Sequence, residues 1–228
     1  MATVDEIQSG IAGTIDLDPE VSHISAEDYA LRLKYINRRE RAWSEIGKWQ
    51  CLIKEYNTLT STSSGNCSIS LPVDFRSLSV YPEITFDGVH TVKFPEIRPQ
   101  EEAHFDKESS QYIKIMGNPY SGYTMVVNPA TSSKQLASGA SIKVLYFSTP
   151  ASLASPADVV TCPNPEYLIE GVIADIWEAQ EDARFQAAKA QANITLSNML
   201  EFEFTPSEAA YNRGVKTYEQ RYGFKWGK

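Results

Sequence analysis

The sequence predicts an α+β fold: a helical bundle of two long helices with a short C-terminal helix and tail, carrying an inserted antiparallel β sandwich or barrel. Three observations predict it. A helical apolar period runs over about residues 26–56 and again over 165–203. Between them, short alternating segments bounded by Gly, Pro and Asn fill residues 67–147. After them, a capping box leads into an aromatic, basic peptide. The expected organisation is an arm (1–24), a helical domain (25–58 with 164–222), an inserted β domain (67–150) and a docking tail (223–228).

Residues 1–24, with Gly10, Gly13 and Pro19 and no sustained period, are expected to be loosely structured. Ser25 with Asp28 three positions on gives a helix start. The apolar face then reads Tyr29, Leu33, Ile36, Trp43, Ile46 and Ile53, widened by Trp49, Leu52 and Tyr56. Opposite it Lys34, Arg38, Arg41 and Lys48 form a basic stripe, read either as a phosphate contact or as a solvated face paired with Glu40 and Glu45. Residues 58–66 form a polar Ser/Thr/Gly linker.

Strands are expected at 68–71, 91–94, 111–116, 123–127 and 141–147, with hairpin turns at Asp87-Gly88 and Ser138-Gly139. Pro72, Pro82, Pro95 and Pro99 belong at strand ends or edges, because proline cannot donate to a ladder. A second linker covers 150–163, and Asn164-Pro165 supplies a cap and an N1 proline. The following helix is read from Ile169, Ile173, Ile176, Ala183, Ala187, Ala190 and Ile194, whose small residues allow close helix approach. It is acidic (Glu166, Glu170, Asp175, Glu178, Glu181, Asp182), so it attracts the net basic first helix within a subunit or between neighbours. Thr205 with Glu208, and Pro206 at N1, opens a third helix to about Tyr222.

Composition excludes several classes. Hydrophobic residues at 42% and charged residues at 22% are ordinary globular values. A net charge of −8 argues against a generic nucleic-acid binder, although not against a protein that lets DNA pass without gripping it. Cys51, Cys67 and Cys162 form no C-x-x-C pair, which indicates neither a zinc site nor a disulfide framework. The N-terminal residues lack the basic and apolar regions of a signal peptide, and no run approaches the ~18 apolar residues of a membrane span.

Motifs for catalysis or cofactors are missing: no G-x-S-x-G, no G-x-x-x-x-G-K-[ST], no H-E-x-x-H and no G-x-G-x-x-G after a strand. His104 with Glu101, Glu102 and Asp106 is the nearest thing to a metal cluster, but its spacing fits no ligand pattern. No local pairing of a cysteine with His23, His90 or His104 supports thiol catalysis. No enzyme activity, cofactor or metal is therefore expected. Carboxylates across a cleft, as in glycosidases, are a weak alternative.

The C-terminal peptide is the best functional candidate. Tyr211, Tyr218, Tyr222, Phe224 and Trp226 alternate with Arg213, Lys216, Arg221, Lys225 and Lys228, the residue types of buried interface anchors. Docking into a partner and folding back onto its own core are both open readings. The partner-binding candidates are Tyr218, Arg221, Tyr222, Phe224, Lys225, Trp226 and Lys228.

Two stretches resemble the head-to-tail adaptor (connector) proteins of tailed bacteriophages. One is the first helix around Tyr29–Trp43, followed after a polar turn by Leu71-Pro72-Val73-Asp74-Phe75-Arg76. The other is the helix opened by Pro165-Glu166-Tyr167-Leu168 and the tail beyond it. The resemblance implies a non-enzymatic virion protein assembled in the host cytoplasm. It implies a homo-oligomeric ring, usually of twelve copies, seated between the portal and the tail or stopper proteins. Double-stranded DNA would pass its lumen without sequence-specific binding, and the C-terminal residues named above would reach into the portal. The β insertion is longer than in the smallest adaptors. A stopper or tail-completion protein is the near alternative. A glycan-binding β module with Tyr81, Tyr120 and Tyr123 is the distant one.

Overall fold

The computed structural model describes residues 2–60, 67–85, 91–105, 110–128 and 141–204. In chain order the elements are α1 (Val4–Ile15), α2 (Ala26–Ile46), β1 (Ile53–Thr60), β2 (Cys67–Ser70), β3 (Phe75–Leu78), β4 (Glu83–Thr85), β5 (Thr91–Lys93), β6 (Tyr112–Asn118), β7 (Gly122–Asn128), β8 (Ser141–Ser148), α3 (Pro165–Ala179) and α4 (Phe185–Phe204). The fold is mixed helix and sheet with antiparallel sheets, as expected, but the sheets do not close into a barrel.

The expected loose arm contains a well-anchored helix. Thr3 caps α1 in a reciprocal box with Glu6, satisfying two backbone donors at once. Val4, Ile7 and Ile11 then follow at helical spacing and are fully buried. The segment before the helix is tied down as well: Val4 and Val160 donate their backbone N–H to Asp158 and Ala2. Gly10 is where α1 comes close to α3, since a Cβ there would lie 2.6 Å from Ile169 Cδ1.

The first long helix ends at Ile46 and not near Tyr56. Gly47 adopts extended backbone, and Trp49 turns back to stack on Trp43 at 5.0 Å, donating Nε1–H to the Trp43 carbonyl at 2.9 Å. Leu52 closes a short 3₁₀ turn, and Ile53 begins β1. Trp49, Leu52 and Tyr56 therefore continue the helical spacing only by coincidence. Ile36 and Trp43 are buried as expected, whereas Ile46 is half exposed.

β8 is the seam of the molecule. It pairs with β1 along one edge and with β3 and β4 in succession along the other, and β5 extends the sheet beyond β4. A second sheet is ordered β2-β7-β6. Ile142, Val144 and Tyr146 of β8 join Ile69, Met125 and Val127 of the second sheet in one apolar cluster. Phe147, on the opposite face of β8, belongs to the helical cluster instead. Pro72 lies in the turn after β2, and Pro82 and Pro95 flank β4 and β5, where no ladder N–H is lost. The hairpin turns expected at Asp87-Gly88 and Ser138-Gly139 lie outside the described residues.

The second long helix is two helices. α3 starts where expected, Asn164 Oδ1 accepting from the Glu166 N–H at 3.1 Å with Pro165 at N1. It stops at Ala179; Glu181 takes φ +58°, and the Asp182 N–H returns to the Trp177 carbonyl. The break resets the helical phase. Ala188, Ala192, Thr195 and Met199 are the buried positions of α4, while Ala187, Ala190 and Ile194 face solvent. Small residues still serve close packing, but not the ones the sequence pattern selects. α3 packs against α1, α2 and α4. The third helix expected at 205–222 lies outside the described residues.

Candidate interaction surface

The segment Leu71-Pro72-Val73-Asp74-Phe75-Arg76 locks the β region to the helices. Leu71 and Phe75 are buried, and the Phe75 N–H closes a turn on the Pro72 carbonyl at 3.0 Å. Phe75 meets Tyr123 edge-on at 5.3 Å and Tyr146 at 5.7 Å. Asp74 accepts from Lys54 Nζ at 2.6 Å and from the Tyr146 hydroxyl at 2.9 Å. Burial pushes its carboxyl upward, but those two donors outweigh it and hold the carboxyl below its ordinary value. The same burial and the Asp74 hydrogen bond push the Tyr146 phenol up to about 12. Arg76 reaches the opposite way, donating Nη2–H to the Gly47 carbonyl at 2.8 Å behind the end of α2. Its guanidinium also lies 5.7 Å from the Phe147 ring centre.

Polar side chains on α2 hold the strand-to-helix linker. Asn37 donates to the Leu153 carbonyl at 2.9 Å and accepts from the Leu153 N–H at 2.8 Å. Glu40, buried, accepts from the Thr161 N–H; burial raises its pKa, and hydrogen bonds from Thr161 and Cys162 pull the other way. Arg39 clamps Asp175 of α3 in a two-pronged pair at 2.5 and 2.7 Å. The expected attraction between the basic and acidic helices is thus realised within the subunit at one pair.

The basic stripe itself remains in solvent. Lys34, Arg38, Arg41 and Lys48 are exposed, and none forms an ion pair among the described residues. Where the stripe reaches the β region it opens into a groove of about 520 Å³. Arg41 and Glu45 form one wall, and Val73, Arg76, Tyr120 and Tyr123 the other. Tyr120, at the tip of the β6–β7 hairpin, is 100% exposed, and Val73 is 98% exposed. The stripe and Tyr120 are each visible in the sequence. Their meeting depends on how β7 packs beside β3, which no local spacing encodes.

His104 lies in a short 3₁₀ turn, and the neighbouring Glu102 binds Lys114 Nζ at 2.6 Å and the Tyr112 hydroxyl at 3.3 Å. Among the described residues no group of His, Cys, Asp and Glu is placed to hold a metal ion. Cys162 is buried, which pushes its thiol up to about 12. Tyr218, Arg221, Tyr222, Phe224, Lys225, Trp226 and Lys228 all lie outside the described residues, as do His90 and Asp106.

The structure is thus an α+β frame whose buried polar groups fasten one segment to the next, with a basic and aromatic groove left open. Residues 2–214 match the family described as SU10 adaptor protein, and the chain belongs to that family. Membership agrees with the resemblance to phage head-to-tail adaptors and supports a structural role in the phage particle. Comparison with curated proteins gave no match. No helix among the described residues is long and apolar enough to cross a membrane.

Proposed function

We propose that this protein is a head-to-tail adaptor that forms a ring between portal and tail and extends the DNA channel. The match over residues 2–214 carries this reading. About twelve copies close through a heterologous interface, one face of each subunit meeting a different face of the next. The work is non-catalytic. With a net charge of −8, acidic groups lining the lumen repel the phosphate backbone, and DNA slides without sticking. Tyr218, Arg221, Tyr222, Phe224, Lys225, Trp226 and Lys228 dock into the portal, and stopper or tail proteins bind the opposite side.

The test is a binding comparison between the full chain and a chain lacking residues 223–228, each mixed with the portal ring of the same phage. The full chain is expected to bind and the shortened one to fail. Equal binding of the two contradicts the assigned docking tail. Portal binding by neither, with tail proteins bound by both, identifies a stopper instead.

A further inference from the structure

The loop after α1 displays an apolar side chain that neither the subunit's core nor its backbone geometry calls for. Leu17 has φ +59°, the left-handed region that favours glycine, and is 86% exposed. Carboxylates surround it: Asp16 is held by Arg32 at 2.7 Å, Asp18 by His23 at 2.7 Å, and Glu20 lies 3.6 Å from the same imidazole. Each of the three remains partly in solvent. The loop is an acidic knob with a leucine at its tip, held on a conformation that leucine itself disfavours.

The groove beside α2 has the opposite character. It is lined by the exposed Tyr120 and Val73 and by two arginines against the single carboxylate of Glu45. Arg76 Nη1 is buried and has no hydrogen-bond partner among the described residues, so the guanidinium keeps donor capacity that the subunit itself does not use. Arg38, exposed and without an ion pair among the described residues, lies one helical turn before Arg41 and extends the basic rim. At about 520 Å³ the groove has room for several side chains.

The knob and the groove do not meet within one copy. Arg32, which fixes Asp16, and Arg41, which lines the groove, are about two and a half helical turns apart and so on opposite sides of α2. We propose that the Leu17 loop of one copy seats in the Arg41–Arg76–Tyr120 groove of a second copy, Leu17 against Tyr120 and Val73 and its flanking carboxylates toward the two arginines. Such a contact is heterologous and repeats from copy to copy. It rests on the ring reading above and names the faces that would close the ring.

The deciding experiment uses the full chain with Cys51→Ser and Cys67→Ser as background, with and without portal. Leu17→Cys and Tyr120→Cys are introduced separately and together, then oxidised. The doubly substituted chain is expected to give a ladder of disulfide-linked oligomers, and an equimolar mixture of the two single variants a covalent dimer and nothing larger. Leu17→Gly supplies an independent readout: it relieves the left-handed backbone, so thermal stability should hold or rise, while self-association weakens by about tenfold or more. Rings that assemble without disulfide formation, or unchanged assembly of Leu17→Gly, overturn the contact and leave the ring reading standing. Disulfide ladders without rings do the reverse. Neither rings nor ladders reject both.

Discussion

Arg39 and Asp175 show how much of this frame rests on single pairs. Their side chains are 21% and 11% exposed, and the pair spans α2 and α3 in the helical core. Truncating one partner strands the other charge with little water around it. Asp175→Ala is therefore expected to cost about 3–5 kcal/mol in urea unfolding, whereas Arg39→Met with Asp175→Leu recovers most of the loss. A single-variant loss under about 1 kcal/mol means that the pair acts as an exposed one. His23 gives a pH-dependent counterpart. Its hydrogen bond to Asp18 raises the imidazole above its ordinary 6.5, and the proximity of Glu20 adds to it. Because the folded pKa is the higher one, the tie is fully present below pH 6.5 and is lost as pH rises through the raised value. Titration of His23 by NMR is expected to show a midpoint above 6.5 that falls in Asp18→Asn; an unchanged midpoint removes the pairing.

Among the elements, the β6–β7 hairpin makes the sharpest demand on sequence. Gly117 has φ +113°, and a Cβ there would lie 2.1 Å from the Gly122 carbonyl oxygen, which is backbone and cannot step aside. Gly117→Ala is expected to destabilise the protein by more than about 1 kcal/mol on thermal or urea unfolding and to shift the Tyr120 tip. Undiminished stability contradicts the hairpin geometry. The elements also show what sequence reading could reach. Caps at Ser25 and Asn164 and the alternation of 141–147 were legible, because each signal is local and has one interpretation. α1 was equally local, in the Thr3–Glu6 box and the spacing of Val4, Ile7 and Ile11, but Gly10 and Gly13 masked it. The end of α2 was hidden because Trp49 lies at the next helical position while actually folding back on Trp43. The break between α3 and α4 rests on Glu181 at positive φ, which no residue type announces. The groove was out of reach for another reason: Arg41 and Arg76 converge with Tyr120 only through tertiary packing.

For the molecule as a whole, β8 joins two cores, so the sheets and helices do not move apart freely. Ile142, Val144 and Tyr146 serve the sheets, Phe147 serves the helices, and Ser148 Oγ donates to the Leu52 carbonyl at 3.0 Å. In the proposed ring, each subunit presents two different docking faces. The proposed assembly supplies those faces from two surfaces the subunit leaves open, an acidic leucine-tipped loop and a basic aromatic groove. The electrostatics predict salt sensitivity as well. Contacts between solvent-exposed charges on neighbouring copies weaken as the Debye length falls from about 10 Å at 0.1 M to about 3 Å at 1 M salt. The most direct measurement is native mass spectrometry of the full chain alone and after addition of the portal ring. A closed ring of about twelve copies bound to the portal is expected. A chain that stays monomeric and unbound with portal present contradicts it.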